Sequence, residues 1–528
     1  MNLVQEERYR WDKENKTQRL WASDPTLWTN HDEADWTGWL SVIESELLEV
    51  PRIEALAREI QSEGFQDLVL LGMGGSSLCP DMMTKIFGQM GDYPKLTILD
   101  STDPTQILHL ESQLDLKKTL FIVSSKSGGT LEPNIFKDYF YSRLQTVLGK
   151  KAVGDRFLAI TDPGTKLDVL AKNENFREIF YGIPSIGGRY SALSNFGMVP
   201  AGLMGVNIRE FLEQAKLPHN NPGIELGITL GVNAKQGKDK ITLILSPGIQ
   251  ALGSWLEQLL AESTGKIGKG LIPVNQEALG LPDVYSHDRV FVYIRLESAP
   301  NSKQDRFMTQ IEESGHVVVR LNLPHTMQLG AELFRWEIAT AVASSIIGVN
   351  PFDQPDVEAS KIRALEKFSK VPNPIKQPPT PHTEKNCHTL LNHIKPDDYV
   401  MLCAFIEMSE EHEALLQKCR TLIRDAKKVA TCLGFGPRFL HSTGQIYKGG
   451  PNTGVFLQVT ADHDHDIQVP GQTYTFGAVI KAQAQADFEV LAQRGRRILS
   501  IHLGSNVRDG LQSLYESLQL ELHINKDE

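Results

Sequence analysis

Cysteine is scarce in this chain: five residues among 528, with no paired spacings that would make a disulfide framework, which points to a reducing compartment. Long apolar runs are missing too. The longest, Ile338 to Val349, is about a dozen residues and includes serines, short of the ~20 needed to cross a bilayer. No apolar core follows the charged opening MNLVQEERYRWDKENK, so no signal peptide is visible. Basic blocks are absent as well: Lys and Arg number 54 against 65 Asp and Glu, a net charge of −11, which lacks the electrostatic footprint of a nucleic-acid binder. Disorder is excluded by a composition that is 41% hydrophobic, 23% charged and 8% aromatic. A chain of 528 residues exceeds one ordinary core and predicts two or three domains. These exclusions leave a cytoplasmic enzyme that acts on a small molecule, with neither nucleic acid nor membrane as partner.

The first fifty residues are polar yet carry Trp11, Trp21, Trp28, Trp36 and Trp39, five of the seven tryptophans. They read as a helical arm (1–50) packed on a domain. A strand–helix rhythm follows. Apolar runs suited to buried parallel strands stand at Asp67–Leu71, Leu96–Leu99, Leu120–Val123 and Phe157–Ile160. A second series stands at Ile241–Leu245, Val290–Ile294 and His316–Leu321, closed by a helix over Ala331–Gly348. The reading is α/β: two tandem doubly wound units with mainly parallel sheets, 51–190 and 191–370. Residues 371–383, VPNPIKQPPTPHT, form a proline-rich linker. A C-terminal α/β region (384–528) follows, with strands expected at Tyr399–Phe405, Val455–Val459 and Ile498–His502 and a helix over Glu410–Val429.

Chemistry concentrates in four segments. Strand one runs into Leu71-Gly72-Met73-Gly74-Gly75-Ser76-Ser77-Leu78, where glycines let backbone N–H groups approach an anion at a helix start. Its spacing fits neither the dinucleotide nor the Walker pattern, and a tight packing turn is the plainer alternative. Strand three runs into Ser124-Ser125-Lys126-Ser127-Gly128-Gly129-Thr130, hydroxyls around two glycines that can surround a phosphate, or serve as ordinary N-cap residues. Two such loops at strand carboxyl ends frame a crevice and favour a phosphorylated ligand. In Gly187-Gly188-Arg189-Tyr190-Ser191 an arginine follows two glycines, free to meet a developing oxyanion, or else to link domains. A helix over Gln250–Glu262 puts Gln258 and Glu262 on one face, with Glu262 in the last turn before Gly265. By itself that spacing describes a solvated glutamate as well as a general base.

Two further features read as structural. Asp462-His463-Asp464-His465-Asp466 has metal-capable side chains, but strand alternation would send them to opposite faces, so a solvated acidic loop is expected. Cys79, with no histidine beside it in sequence, reads as a packing residue.

Taken together, LGMGGSSL, SSKSGGT, GGRYSALS, QLLAESTGK and Gly348-Val-Asn-Pro-Phe-Asp-Gln-Pro-Asp-Val-Glu-Ala-Ser-Lys361, in this order, resemble the glucose-6-phosphate isomerase family over residues 65–365. The whole chain looks closest to the isomerase half of fused transaldolase–glucose-6-phosphate isomerases. The resemblance implies two sugar-isomerase (SIS-type) α/β domains, a homodimer, no metal and no organic cofactor. It implies reversible isomerisation of glucose 6-phosphate and fructose 6-phosphate through ring opening and a cis-enediol(ate). Residue by residue, Gly75 and Ser76 line the sugar, while Ser125, Ser127 and Thr130 hold the phosphate with Lys126 beside them. Gly188 and Arg189 meet the reacting oxygens. Gln258 and Gln354 lie at the sugar, Glu262 is the base, and Lys361 assists ring opening.

Three departures stand out. Pro133 replaces a common threonine and Asp356 a usual glycine. The family's ring-opening histidine, a few tens of residues after the base, has only His287 as a nearby counterpart, and nothing around His287 matches. Leu440-His441-Ser442-Thr443-Gly444-Gln445 reproduces the motif in the C-terminal region instead. His441 is therefore taken as the ring-opening residue, with His287, or neither histidine, as the alternatives. A sugar-phosphate-binding regulator built on the same domains is the competing function. It would need the phosphate loop but neither base nor ring-opening groups. An amidotransferase-coupled synthase would need a nucleophilic cysteine at the N-terminus, and position 2 is Asn.

Overall fold

Continuous apolar runs, buried on both faces, become the central strands of three parallel sheets. A computed structural model describes residues 2–149, 152–216, 218, 221–356 and 383–527, the side chains of 383–386 and 523–527 excepted. Lys361, and the proline-rich linker apart from its last residue, lie outside the described residues. The first sheet contains β1 (Asp67–Gly72), β2 (Lys95–Leu99), β3 (Thr119–Ser124), β4 (Phe157–Thr161) and β5 (Glu178–Tyr181), in the order β2-β1-β3-β4-β5. The second contains β6 (Lys240–Leu245), β7 (Ile272–Val274), β8 (Arg289–Leu296) and β9 (Val317–Leu323), ordered β7-β6-β8-β9. The third contains β10 (Tyr399–Phe405), β11 (Ala430–Phe435), β12 (Gly454–Thr460) and β13 (Arg497–His502), ordered β11-β10-β12-β13.

All three sheets share one logic: the chain starts in an inner strand, adds its second strand on one side, then reverses direction. Loops after the first and third strands then diverge and open a crevice at the carboxyl ends. The tandem doubly wound units are present, and the C-terminal region repeats their strand order. Three strands escaped the sequence reading for physical reasons. The four residues of β5 lie at a half-exposed edge, the three of β7 include Pro273, and β11 carries Gly434 in place of a continuous apolar run.

The N-terminal arm is packed into the core. Trp39 is fully buried, with its ring centroid 5.0 Å from Tyr190, and Trp28 meets Phe352 edge-on at 5.3 Å. The helix Val42–Ser62 runs unbroken from this arm toward β1. Residues of the third region complete two cores. Val469, Phe476 and Val479 join the face of the first sheet built on Val69, Phe121 and Phe157, and Ala261, Ile272 and Val274 of the second unit pack with Met401, Phe439 and Ile446. The third unit thus packs against both of the other two.

Candidate active site

The helix Leu252–Thr264 turns Leu252, Leu256, Leu259 and Leu260 into the core. Its other face carries Gln258 and Glu262, one turn apart. Glu262 is only 6% exposed, so it is not the solvated glutamate that its position in the last turn allows. Gln258 Nε2 donates to Glu262 Oε2 at 2.9 Å and to the carbonyl oxygen of His441 at 3.0 Å. Opposite stands Arg189, 4% exposed, whose Nη1 lies 3.9 Å from Glu262 Oε1. Its Nη2 donates to the carbonyl oxygens of Phe352 (2.7 Å) and Asp353 (2.9 Å), while Nη1 has no hydrogen-bond partner among the described residues.

Glycines let these segments meet. Gly74 has φ +56°, and a Cβ there would stand 2.6 Å from the His441 carbonyl oxygen; one on Gly75 would stand 2.0 Å from that of Gly188. Only residues without side chains allow the first loop to touch both segments. Ser76 closes the same tight turn and is buried.

The loop after β3 places Ser125, Ser127 and Thr130 just before the helix Leu131–Leu148, whose positive end suits an anion. Ser125 Oγ and Thr130 Oγ1 are 3.4 Å apart, and the Gly129 N–H donates to Ser127 Oγ at 3.3 Å. Lys126 turns sideways: its ammonium is paired with Asp162 and donates to the carbonyls of Ile183 (3.4 Å) and Pro184 (3.3 Å). Its charge therefore serves this loop junction as well as any anion nearby.

The turn after helix Leu329–Ile347 delivers Phe352, Asp353 and the half-buried Gln354. Lys266, four residues beyond Glu262, grips the same turn. Its ammonium is 2.8 Å from Asp353 Oδ1 and also donates to the Asn350 and Ser263 carbonyls. Burial, then the neighbouring Arg189 charge, push its pKa down to about 7. Lys266 ends the QLLAESTGK segment, but nothing in its spacing marks a role for it. Asp356 has a structural use: it is paired with Arg494, and its carboxylate accepts from Gln445 Nε2 at 2.7 Å, which docks this segment on the third unit.

His441 reaches the site from the turn after β11. That turn is anchored by Arg438, which donates to Asp100 Oδ2 (2.9 Å) and Asp81 Oδ2 (2.5 Å) of the first unit. The imidazole Nε2 lies 2.9 Å from Glu132 Oε1, and the same oxygen accepts from Gln483 Nε2 at 2.7 Å. Sequence reasoning missed Glu132 because an acidic residue in a helix's first turn is ordinary. It missed Gln483 because nothing marks one glutamine among many. His287 is exposed, at the amino end of β8 and beside His316, with ring centroids 6.0 Å apart. The site gathers at the opposite, carboxyl ends of the strands. In the 462–466 loop, Asp462 pairs with His502 at 3.1 Å and Lys481 at 3.3 Å. Cys79 is buried against the Ala192 carbonyl, and burial pushes its thiol pKa well up, away from a reactive thiolate.

Doubly wound sheets define an α/β protein, and its hydroxyl-rich loop at a helix's positive end and its buried carboxylate facing an arginine have the chemistry to hold an anion and to move a proton. Comparison with known proteins makes this specific. The family described as phosphoglucose isomerase matches residues 58–220. A glucose-6-phosphate isomerase of Prochlorococcus marinus (strain NATL2A) is 30% identical over 362 residues, covering 60% of this chain and 68% of the relative. Two solved structures share the fold. A hypothetical protein of Thermus thermophilus aligns with a TM-score of 0.61 at 24% identity, covering 69% of this chain and 97% of that one. A glucose-6-phosphate isomerase from Chlamydia trachomatis aligns with a TM-score of 0.52 at 21% identity, covering 67% and 78%. This chain belongs to the glucose-6-phosphate isomerase family.

Proposed function

We propose that this chain catalyses the reversible isomerisation of D-glucose 6-phosphate and D-fructose 6-phosphate. The observation that carries the reading is the buried Glu262 carboxylate 3.9 Å from the Arg189 guanidinium, in a chain of this family. Moving a proton between C2 and C1 needs a base over both carbons and a positive charge for the oxygens that become anionic. Glu262 takes the C2 proton to give a cis-enediol(ate) and returns it to C1. Arg189 faces the enediolate through Nη1, while the two carbonyls on Nη2 hold the guanidinium in place before substrate arrives.

Ring opening comes first, with a proton leaving the O1 hydroxyl and one entering the ring oxygen. We assign this exchange to His441, supported by Glu132, and to Lys361. The phosphate goes to Ser125, Ser127 and Thr130 with Lys126 behind them, and its binding energy orients the reacting carbons. Gly75, Ser76, Gly188, Gln258 and Gln354 line the sugar. The reading extends to a cytoplasmic enzyme of glycolysis and gluconeogenesis acting as a homodimer; buried thiols at Cys79, Cys403, Cys419 and Cys432 support the reducing compartment.

The test is a coupled assay of purified protein on fructose 6-phosphate with chelator present. Turnover that vanishes in Glu262→Gln supports the reading. Binding of the sugar phosphate without turnover would make the chain a regulator instead.

A further inference from the structure

A row of buried polar side chains crosses the interface between the first and third units. Thr102 follows β2, Gln483 lies on the helix Phe476–Gln493 behind the third sheet, Glu132 opens the helix after the phosphate loop, and His441 ends the row. Thr102 is 0%, Gln483 4% and Glu132 4% exposed, so water does not compete for these bonds. Thr102 Oγ1 donates to Gln483 Oε1 at 2.8 Å, and Gln483 Nε2 donates to Glu132 Oε1 at 2.7 Å. Turning the amide over would put its carbonyl oxygen against a carboxylate oxygen at that distance, which electrostatics forbids. The orientation is therefore set by the neighbours. Glu132 Oε1 then accepts two N–H groups, from the Gln483 amide and from His441 Nε2, 2.9 Å away. The proton of a neutral His441 is thereby fixed on Nε2. Nδ1 has no hydrogen-bond partner among the described residues.

We infer that Gln483 is a positioning residue for ring opening: contributed by the third unit, it clamps the Glu132 carboxylate so that His441 meets the substrate in one tautomer and one orientation. The inference rests on the reading of His441 given above. It also gives the third unit a second task beyond carrying that histidine, because its helix reaches back to the helix that begins at the phosphate loop. Such a clamp has a cost when cut. Glu132 would lose a charge-assisted bond in a buried setting and could swing away from the imidazole.

The bland alternative is a glutamine that only glues two domains together, and two measurements on the full chain separate them. One is kcat/KM on glucose 6-phosphate, which is cyclic and needs opening. The other is the inhibition constant of a five-carbon aldonate phosphate, an open-chain compound whose carboxylate mimics the enediolate and which needs no opening. Gln483→Met should lower kcat/KM on the order of tenfold or more while the inhibition constant moves less than about threefold. A loosened interface would weaken both alike, and that result, or unchanged kcat/KM, overturns the inference. Should Gln483→Met not fold, Gln483→Asn keeps an amide but draws it back from Glu132 by one methylene, and carries the same comparison. His441→Gln keeps the two readings apart. If it leaves glucose 6-phosphate turnover intact, the histidine assignment falls. If it is selective for the cyclic substrate and the Gln483 variants are not, only the clamp falls.

Discussion

The side-chain amide of Gln258 lies 3.0 Å from the carbonyl oxygen of His441, joining residues 183 positions apart. The same nitrogen donates to Glu262, so one amide ties the helix of the second unit to the histidine turn of the third. Gly74 of the first unit fits directly beneath that carbonyl. The three units therefore meet around Gln258, where the proposed base Glu262 and the proposed ring-opening residue His441 would share one sugar.

Replacing the proposed base isolates proton transfer. Glu262→Gln keeps the shape and the reach toward Gln258 but removes the proton acceptor, so kcat should drop at least about a thousandfold with substrate binding retained. Steady-state rates on fructose 6-phosphate check this. More than a tenth of wild-type turnover would mean another group is the base.

Removing hydroxyls from the loop after β3 should act on binding. Ser127→Ala with Thr130→Ala deletes two donors to a charged acceptor, each ~1 kcal/mol or more. A phosphate held there would be bound equally in ground and transition states, so KM should rise more than kcat falls. An unchanged KM would move the phosphate elsewhere.

The two histidines separate on the choice of substrate. A four-carbon aldose phosphate cannot close a ring through its phosphorylated terminal oxygen. His441→Gln should cut glucose 6-phosphate turnover by ~10²–10⁴-fold and affect the acyclic substrate far less. His287→Gln, on the exposed amino side of β8, should leave both nearly intact. Equal losses on both substrates in His441→Gln would give this residue a structural role only.

Docking of the third unit depends on a buried ion pair. Arg289 is fully buried on Glu277, donates to the Val429 carbonyl at 3.1 Å, and Glu277 in turn accepts the Thr431 N–H at 2.9 Å. Burial, the largest single influence, would raise the Glu277 pKa, but the charge and hydrogen bond of Arg289 together with the charges of Arg420 and Arg424 outweigh it and hold the carboxyl below its usual range. Glu277→Ala strands a buried guanidinium and should cost ~3–5 kcal/mol in denaturant unfolding. A loss under about 1 kcal/mol would show that Arg289 finds other acceptors.

Glu46 supplies a pH signature of stability. It is 2% exposed, Oε2 has no hydrogen-bond partner among the described residues, and burial pushes its pKa up to about 8. The folded chain thus holds a proton that the unfolded chain releases near 4.5, so this contribution is complete below that pH and is lost as pH rises to about 8. Glu46→Gln should remove that dependence, and its melting temperature should gain on wild type between pH 5 and about 8. Parallel pH profiles would place the carboxylate in contact with water or a cation.

Sequence alone determined whatever depends on local pattern. Doubly buried strands such as Leu120–Val123 announce themselves as unbroken apolar runs, the glycine and hydroxyl loops mark strand ends, and helical spacing puts Gln258 and Glu262 on one face. Short or edge strands such as β5 and β7 carry too few residues for such a pattern, and the glycine in β11 interrupts one. Tertiary structure decided which polar groups are dry and what they touch. Glu262 looks like a last-turn glutamate until Arg189 and the Phe352 turn close over it. Glu132 looks like first-turn polarity until His441 and Gln483 arrive from more than 300 positions away in the chain. Periodicity records only how a segment divides between core and solvent. The burial and partner of a charged side chain depend on which distant segments the folded chain brings against it, and those contacts leave no local trace.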